Sequence, residues 1–351
     1  MIDWLTFLAP CAHAHAIDGG QVLSIAPGGE LEWMSRKRAS VRGSFDANLT
    51  IRSATHTLDP LTHVEISGNP VKFFQGHNLW GCDDVHALVV HTLEHLAGRS
   101  DLGLTPTAHD HAAWLAGDVR LTRVDQTQSF HLANLADVLA WLRAAEQTAH
   151  LSHRGRGQLV KGSTLYFGQH SRRWSLKLYA KGQEIRDKGH RQEMILELPH
   201  ALAWADRTLR AELVLRSMEL RRLGLDKVTA WSQLDGVDSA VTARLLQDRL
   251  GAMSMNTVSS LSASVLDALK PSVRLAYQSW EAGYDLRAIV SRPTFYKYRA
   301  ALLPHGIDIA ALNPKEKSNV VPLVRVLEAV PAQVPDWAQG TPLYWEPRRI
   351  A

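Results

Sequence analysis

Apolar and polar residues alternate through Trp174-Ser175-Leu176-Lys177-Leu178-Tyr179-Ala180-Lys181, and this period of two predicts a β-strand over 175–181. The same reading predicts strands over 119–129 and 164–168, with the polar run 169–173 as a hairpin loop. Residues 209–216 fit either a strand or a helix start, and pattern alone leaves that open. Helical spacing marks 85–97, with Asp83 or Asp84 as its cap, and 135–147. Short apolar runs such as Gln21-Val22-Leu23-Ser24-Ile25, broken by Gly, Pro, Asn and Asp, suit further strands and turns. Beyond Leu225 helical spacing takes over in 240–250, 265–269, 273–280 and 295–303, and a proline-rich tail from Pro331 reads as extended. The expected architecture is a mixed α/β domain over 1–225 followed by a smaller helical domain over 226–351.

Composition adds room for a sizeable core, because 45% of the 351 residues are hydrophobic. The net charge of +4 permits an anionic partner without requiring one. That charge is concentrated: residues 151–223 hold 15 Lys and Arg against 7 Asp and Glu. Two cysteines, Cys11 and Cys82, make no disulfide framework, which favours a reducing compartment. The apolar start lacks the positive segment of a signal peptide and carries Asp3 in its place. No apolar run reaches the ~18 residues of a membrane span, so no membrane partner is expected.

The basic region carries candidate chemistry. On strand 175–181, Ser175, Lys177, Tyr179 and Lys181 share one face, which sets a phenol between two lysines. Positive charge favours the phenolate and holds phosphate oxygens, which a tyrosine nucleophile attacking phosphorus needs, although most strand tyrosines simply pack. Arg123 with Asp125, and Arg210 with Glu212, likewise pair a guanidinium and a carboxylate on one face. Phosphoryl transfer uses that combination, carboxylates for a hard cation and arginines for phosphate; surface ion pairs are the plainer alternative. Arg172 and Arg173 in the hairpin loop suit DNA contact, with His170 beside them as a further metal or DNA candidate. His77 lies in the dense cluster Gln75-Gly76-His77-Asn78-Leu79-Trp80-Gly81, which either shapes a turn or lines a site such as a DNA contact.

Seventeen histidines also create chance motifs. His91-Thr92-Leu93-Glu94-His95 matches an inverted zinc-protease pattern but has no evident third ligand. His13-Ala14-His15 imitates a metal pair and reads as a turn, and His109-Asp110-His111 as a solvated loop.

Taken in order and spacing, several segments resemble the filamentous-phage replication initiators, the gene II/gene X protein family. They are Met1-Ile2-Asp3, Val64-Glu65-Ile66, Gln75-Gly76-His77-Asn78, Arg123-x-Asp125, 175–181, Arg210-x-Glu212, Ser254-Met255-Asn256, Gly283-Tyr284-Asp285, 319–325 and Pro335-Asp336-Trp337. The resemblance implies an α+β fold with an antiparallel-sheet nickase domain like that of rolling-circle initiators. It implies an enzyme that nicks and rejoins phage origin DNA through a 5′-phosphotyrosyl link, with host helicase and polymerase as partners, in the host bacterial cytoplasm. The family's nucleophilic tyrosine, followed two residues later by lysine, falls on Tyr179 and Lys181, with Tyr166 the fallback. Asp125 and Glu212 then become ligands for Mg2+ or Mn2+, while Arg123 joins the catalytic set and Lys177 and Arg210 the DNA contacts. The resemblance also suggests an internal start at Met255. A non-catalytic DNA-binding replication regulator is the alternative function.

Near the C-terminus, Ser291-Arg292-Pro293 after the helical stretch 273–289 reads as a turn that opens a second helix. Lys297 and Arg299 would then project to phosphate and bases, although an ordinary amphipathic helix pair fits equally.

Overall fold

The alternating segments assemble into one large sheet in a computed structural model of the chain. The structure describes every residue except 44, 46, 55–58, 60, 233–239, 256–262, 283, 285, 306, 308, 311–325, 328–329, 349 and 351. Its strands are β1 (Ile2–Pro10), β2 (Gln21–Ile25), β3 (Leu31–Arg36), β4 (Ala39–Arg42), β5 (Asn48–Ser53), β6 (His63–Gly68) and β7 (Arg120–His131). They continue with β8 (Ala149–Leu151), β9 (Gly155–Arg156), β10 (Gln158–Val160), β11 (Thr164–Phe167), β12 (Trp174–Ala180), β13 (Thr208–Arg216) and β14 (Met253–Met255). Nine form one sheet in the order β10-β11-β12-β13-β7-β1-β6-β5-β4. Each adjacent pair in it is antiparallel. The segment whose pattern fits strand or helix, 209–216, is thus a strand, β13. It lies in the interior of the sheet, between β12 and β7, and is buried on both faces.

Helices α1 (Pro70–Gln75), α2 (Val85–Ala97), α3 (Ala108–Leu115) and α4 (Leu135–Thr148) precede β8. Short helices α5 (Lys181–Glu184), α6 (Glu193–Leu196) and α7 (Pro199–Asp206) lie between β12 and β13, and α8 (Ser217–Leu223) follows β13. Capping fixes their starts: Asp84 accepts from the Ala87 amide and Asn134 from the Asp137 amide. The apolar sides of β12 and β13, with Leu176, Leu178, Ala211 and Leu213, join one core with Leu88 and Leu93 of α2 and Trp141 and Leu142 of α4. Each large apolar side chain among them contributes about 1.5–3 kcal/mol by leaving water.

Several expectations change. The strand ends at Ala180, so Lys181 opens α5 instead of continuing the face of Tyr179. Gly182 explains the turn: a Cβ there would stand 2.7 Å from the Cα of Asp206 on α7. The segment 109–111 lies within α3, where Thr107 and Asp110 complete a capping box, and is no loop. The first core also runs past residue 225, because Leu246, Leu250 and Met253 belong to it and β14 pairs with β8.

A second core joins helices Pro271–Glu281 and Arg292–Leu302 through Val273, Tyr277, Trp280, Phe295 and Leu302. The first of these helices ends at Glu281, before the expected residue 289. Ser291 is the N-cap of the second, and its hydroxyl lies 2.9 Å from that of Thr294. The tail from Pro331 is irregular and returns to the first domain, with the Ala332 amide 2.7 Å from the Ser129 carbonyl. Among the described residues no helix is long and apolar enough to cross a membrane.

Candidate functional site

Strand register turns the sequence pattern into rows across the sheet's polar face. One row runs Thr164–Tyr179–Arg210–Ser129, the next Tyr166–Lys177–Glu212–Thr127, and the next Ser175–Val214–Asp125–Trp4. Arg123 and Arg216 face each other in a fourth. Tyr179, Lys177, Arg210, Glu212, Arg123 and Asp125 therefore share one surface, supplied by three neighbouring strands, and Lys181 joins them from the end of β12.

Tyr179 is 2% exposed, and among the described residues its hydroxyl has no hydrogen-bond partner. The Lys177 ammonium stands 4.4 Å from its ring centroid. Burial, then Glu212 and Glu184, push the phenol well above its ordinary value, against the pull of Arg210. The phenolate that flanking lysines would favour is thus disfavoured, because desolvation outweighs the neighbouring positive charge.

The carboxylates are ion-paired. Asp125 accepts from Arg123 Nε at 2.8 Å and Nη2 at 2.6 Å, and Glu212 lies 2.7 Å from Lys177 Nζ. Burial pushes Asp125 up to about 7, with Glu212 and Asp3 adding to the rise and Arg123 opposing it. Burial would lower Lys177, but Glu212 holds it above the usual lysine range. Three carboxylates thus crowd one buried region, yet among the described residues no three His, Cys, Asp or Glu side chains converge as a metal cage.

A loop that the sequence marked only as a cluster organises the other side of the site. Asn78 Oδ1 accepts from Lys181 Nζ and from Gln192 Nε2, both at 2.7 Å, while Asn78 Nδ2 donates to Asp3 Oδ1 at 2.7 Å. Arg210 donates to the carbonyls of Asn78 and Leu79 and, at 3.2 Å, to Ser129 Oγ. Lys181 is fully buried, its amine also 2.6 Å from Glu184 Oε2. Burial brings it down to about 8, which Glu184 resists and Arg210 reinforces. Burial raises the Asp3 carboxyl, but Lys181, Arg210 and the Asn78 hydrogen bond outweigh that and hold it below the ordinary range.

His77 and Arg210 take tasks other than the expected DNA contacts. Both are fully buried. His77 Nε2 pairs with the Leu343 carbonyl at 2.8 Å, and Nδ1 lies 3.3 Å from the Leu79 amide. Burial brings the imidazole down to about 4, so it is neutral, with its proton on Nε2 facing the carbonyl. Arg172 and Arg173 are both exposed in the β11–β12 loop, at the end of β12 away from Tyr179 and on the order of 20 Å from it. His170 is exposed in the same loop, and Tyr166 is half-buried beside Lys177. Lys297 is exposed and Arg299 half-buried on the helix of the second core. His91 and His95 face Trp345 and the Phe73–Phe74 pair. His13 binds the Cys11 carbonyl and Ser53. Asn256, Gly283, Asp285 and 319–325 lie outside the described residues. Asn78 and Asp3 were missed as site residues, although both stand in segments that carry the resemblance.

The model of the N-terminal family of the phage replication-associated protein, the gene II type, matches residues 1–234, and that of its C-terminal family matches 263–343. This chain belongs to that replication-associated protein family. The family's protein from Enterobacteria phage I2-2 is 37% identical over 339 residues, which is 95% of each chain. Its counterpart in Enterobacteria phage M13 is 24% identical across 96% of this chain and 98% of its own, as is that of phage f1. A solved structure, a rolling circle replication initiator protein from Geobacillus stearothermophilus, aligns over 75% of this chain and 88% of its own, at 14% identity and a TM-score of 0.35. The architecture described above rests on the chain's own strands.

Proposed function

We propose that the chain initiates rolling-circle replication by nicking one strand of phage origin DNA through Tyr179 and later rejoining it. The observation that carries this reading is the buried, unpartnered hydroxyl of Tyr179 on a face bearing Lys177, Arg210, Glu212 and Asp125. An orphaned buried hydroxyl costs about 1–3 kcal/mol, and such a cost is retained where a ligand supplies the missing partner. Membership of a replication-associated family agrees with it.

The phenol oxygen attacks the scissile phosphorus as its proton passes to a base, for which Lys181, at about 8, is suited near neutral pH. The bond from phosphorus to the 3′ oxygen breaks, and that oxygen takes up a proton. The products are a 5′-phosphotyrosyl link and a 3′-OH that primes a host polymerase, with a host helicase opening the duplex in the bacterial cytoplasm. The link conserves the phosphodiester's energy, so rejoining by reversal needs no nucleotide.

Arg123 and Lys177 offer their charges to phosphate oxygens. Moving to phosphate would release Asp125 and Glu212 from their ion pairs. These hard oxygen donors in a crowded anionic region would suit a divalent cation, Mg2+ or Mn2+. When bound, such a cation polarises the phosphate. Arg172 and Arg173, and at a distance Lys297 and Arg299, would track the DNA backbone.

The test is a 3′-end-labelled single-stranded origin oligonucleotide incubated with protein and Mg2+ and run on a denaturing gel. A labelled adduct that vanishes in Tyr179→Phe and persists in Tyr166→Phe is expected. The reverse pattern would move the nucleophile to Tyr166. Binding without adduct would make the chain a non-catalytic replication regulator.

A further inference from the structure

The tail from Pro331 reaches the site at several points. The Leu343 carbonyl accepts from His77 Nε2 at 2.8 Å and from Trp80 Nε1 at 2.9 Å. The Trp345 amide donates to Gln75 Oε1 at 3.0 Å, and Gln75 Nε2 in turn donates to the Trp80 carbonyl at 2.7 Å. The Trp345 ring stacks on Phe74, with centroids 4.3 Å apart and planes 21° apart, and Trp337 meets Trp80 edge-on at 5.3 Å. Ala338 is fully buried in a small core with Leu79, Trp80, Ile185 and Trp204.

Between Gln75 and Trp80 these contacts hold both ends of a loop whose middle residue, Asn78, touches Lys181, Asp3 and Gln192 and caps Arg210. Arg210 faces Tyr179 across β12 and β13. A closed polar network of this kind keeps its geometry only while each member is satisfied. The donors of His77 and Trp80 both end on a tail carbonyl, so the tail adds anchors to those the loop makes with Gln192 and Arg210.

We infer that the tail 331–345 is a clamp in cis that completes the nicking site, and that Asn78 is the positioning residue through which it acts. The clamp binds no DNA and touches no reacting atom. It fixes Asn78 so that the Lys181 amine is held at one position beside the tyrosine strand. This rests on the nicking function proposed above. The C-terminal family segment, read as a separate module, thereby contributes its last turns to the N-terminal one.

Two variants of the full chain and one truncation test it. Trp345→Ala loosens the clamp, Asn78→Ser removes the hub with the tail in place, and a chain ending at Val330 lacks the clamp. Adduct formation on the origin oligonucleotide is measured together with circular dichroism and amide hydrogen exchange across residues 75–81. Each variant is expected to keep its sheet signal and its KM for the oligonucleotide while kcat falls on the order of tenfold to a hundredfold. Exchange at 75–81 rises in Trp345→Ala and in the truncation, and a synthetic peptide of residues 331–351 added in trans lowers exchange and restores rate to the truncation alone. Unchanged kcat in the truncation overturns the inference. So does a loss that appears wholly in KM, or exchange at 75–81 that the tail does not alter. If the full chain forms no adduct, the nicking function fails, and exchange and peptide binding still decide whether the clamp exists.

Discussion

Removing the hydroxyl of Tyr179 should make the protein more stable while abolishing the adduct. The side chain is 2% exposed and its oxygen has no partner among the described residues, so folding strips water from a hydroxyl without returning a hydrogen bond from them. Phenylalanine keeps the ring, its contacts and the Lys177 cation over its face. The stranded hydroxyl costs about 1–3 kcal/mol, and the void left by one oxygen gives back part of that in lost dispersion contacts. A net gain of about 1–2 kcal/mol remains, which at ~2–4 °C per kcal/mol for a unit of this size raises the melting temperature by roughly 2–8 °C. Most substitutions at buried positions lower stability, so the sign alone is informative. Thermal melts at pH 7 by circular dichroism, paired with urea titration, give the comparison. Origin oligonucleotide should narrow the gap, since phosphate supplies wild-type Tyr179 with its missing partner. A Tyr179→Phe protein that melts below wild type by more than ~2 °C would show that the hydroxyl is bonded in solution, and the orphan-hydroxyl argument would fail.

The remaining predictions concern proton, cation and backbone. With Lys181 acting as base, its neutral form grows as pH rises through about 8, so the single-turnover nicking rate should climb to a plateau above that pH; a flat profile from pH 6 to 9 removes Lys181 from that role. The Asp125 carboxyl has a folded value of about 7 against an ordinary 3.8, so its contribution to stability is complete below 3.8 and is lost as pH rises through about 7. Millimolar Mg2+ should therefore raise the melting temperature more at pH 8 than at pH 5.5, and Asp125→Asn should remove that difference; an equal shift in both proteins would exclude Asp125 as ligand. Gly182→Ala must push α5 from Asp206, so it should cost about 1–3 kcal/mol in urea unfolding and lower the nicking rate, because Lys181 is the adjacent residue. A neutral result would mean α7 yields freely.

Much of the sheet was legible because its central strands alternate. Leu176 and Leu178 against Lys177 and Tyr179 assign the faces of β12, and Glu212 falls beside Lys177 once β13 is paired in register. The end of β12 was not legible, since the stop at Ala180 depends on how closely Gly182 packs on Asp206. The capping box in α3 was readable as Thr107-x-x-Asp110 and was passed over for the histidines inside it. Asn78 was hidden for another reason. Its value lies in contacts 103 and 114 positions away, and no local period records them. The tail's role escaped likewise, because it is held by a carbonyl and ring faces, without regular structure.

The bond between His77 and Leu343 spans 266 positions of chain. At roughly 5–20 residues per second, a ribosome takes on the order of 13–50 s to pass from one to the other. All nine strands of the large sheet have been made well before that interval ends, and they can pair while the strap is still missing. If the tail completes the nicking site as inferred above, cutting competence arrives last, after the scaffold. Under the nicking function proposed above, a nascent or prematurely ended chain would hold a folded sheet whose tyrosine it could not yet use, and half-made copies would be kept from breaking DNA.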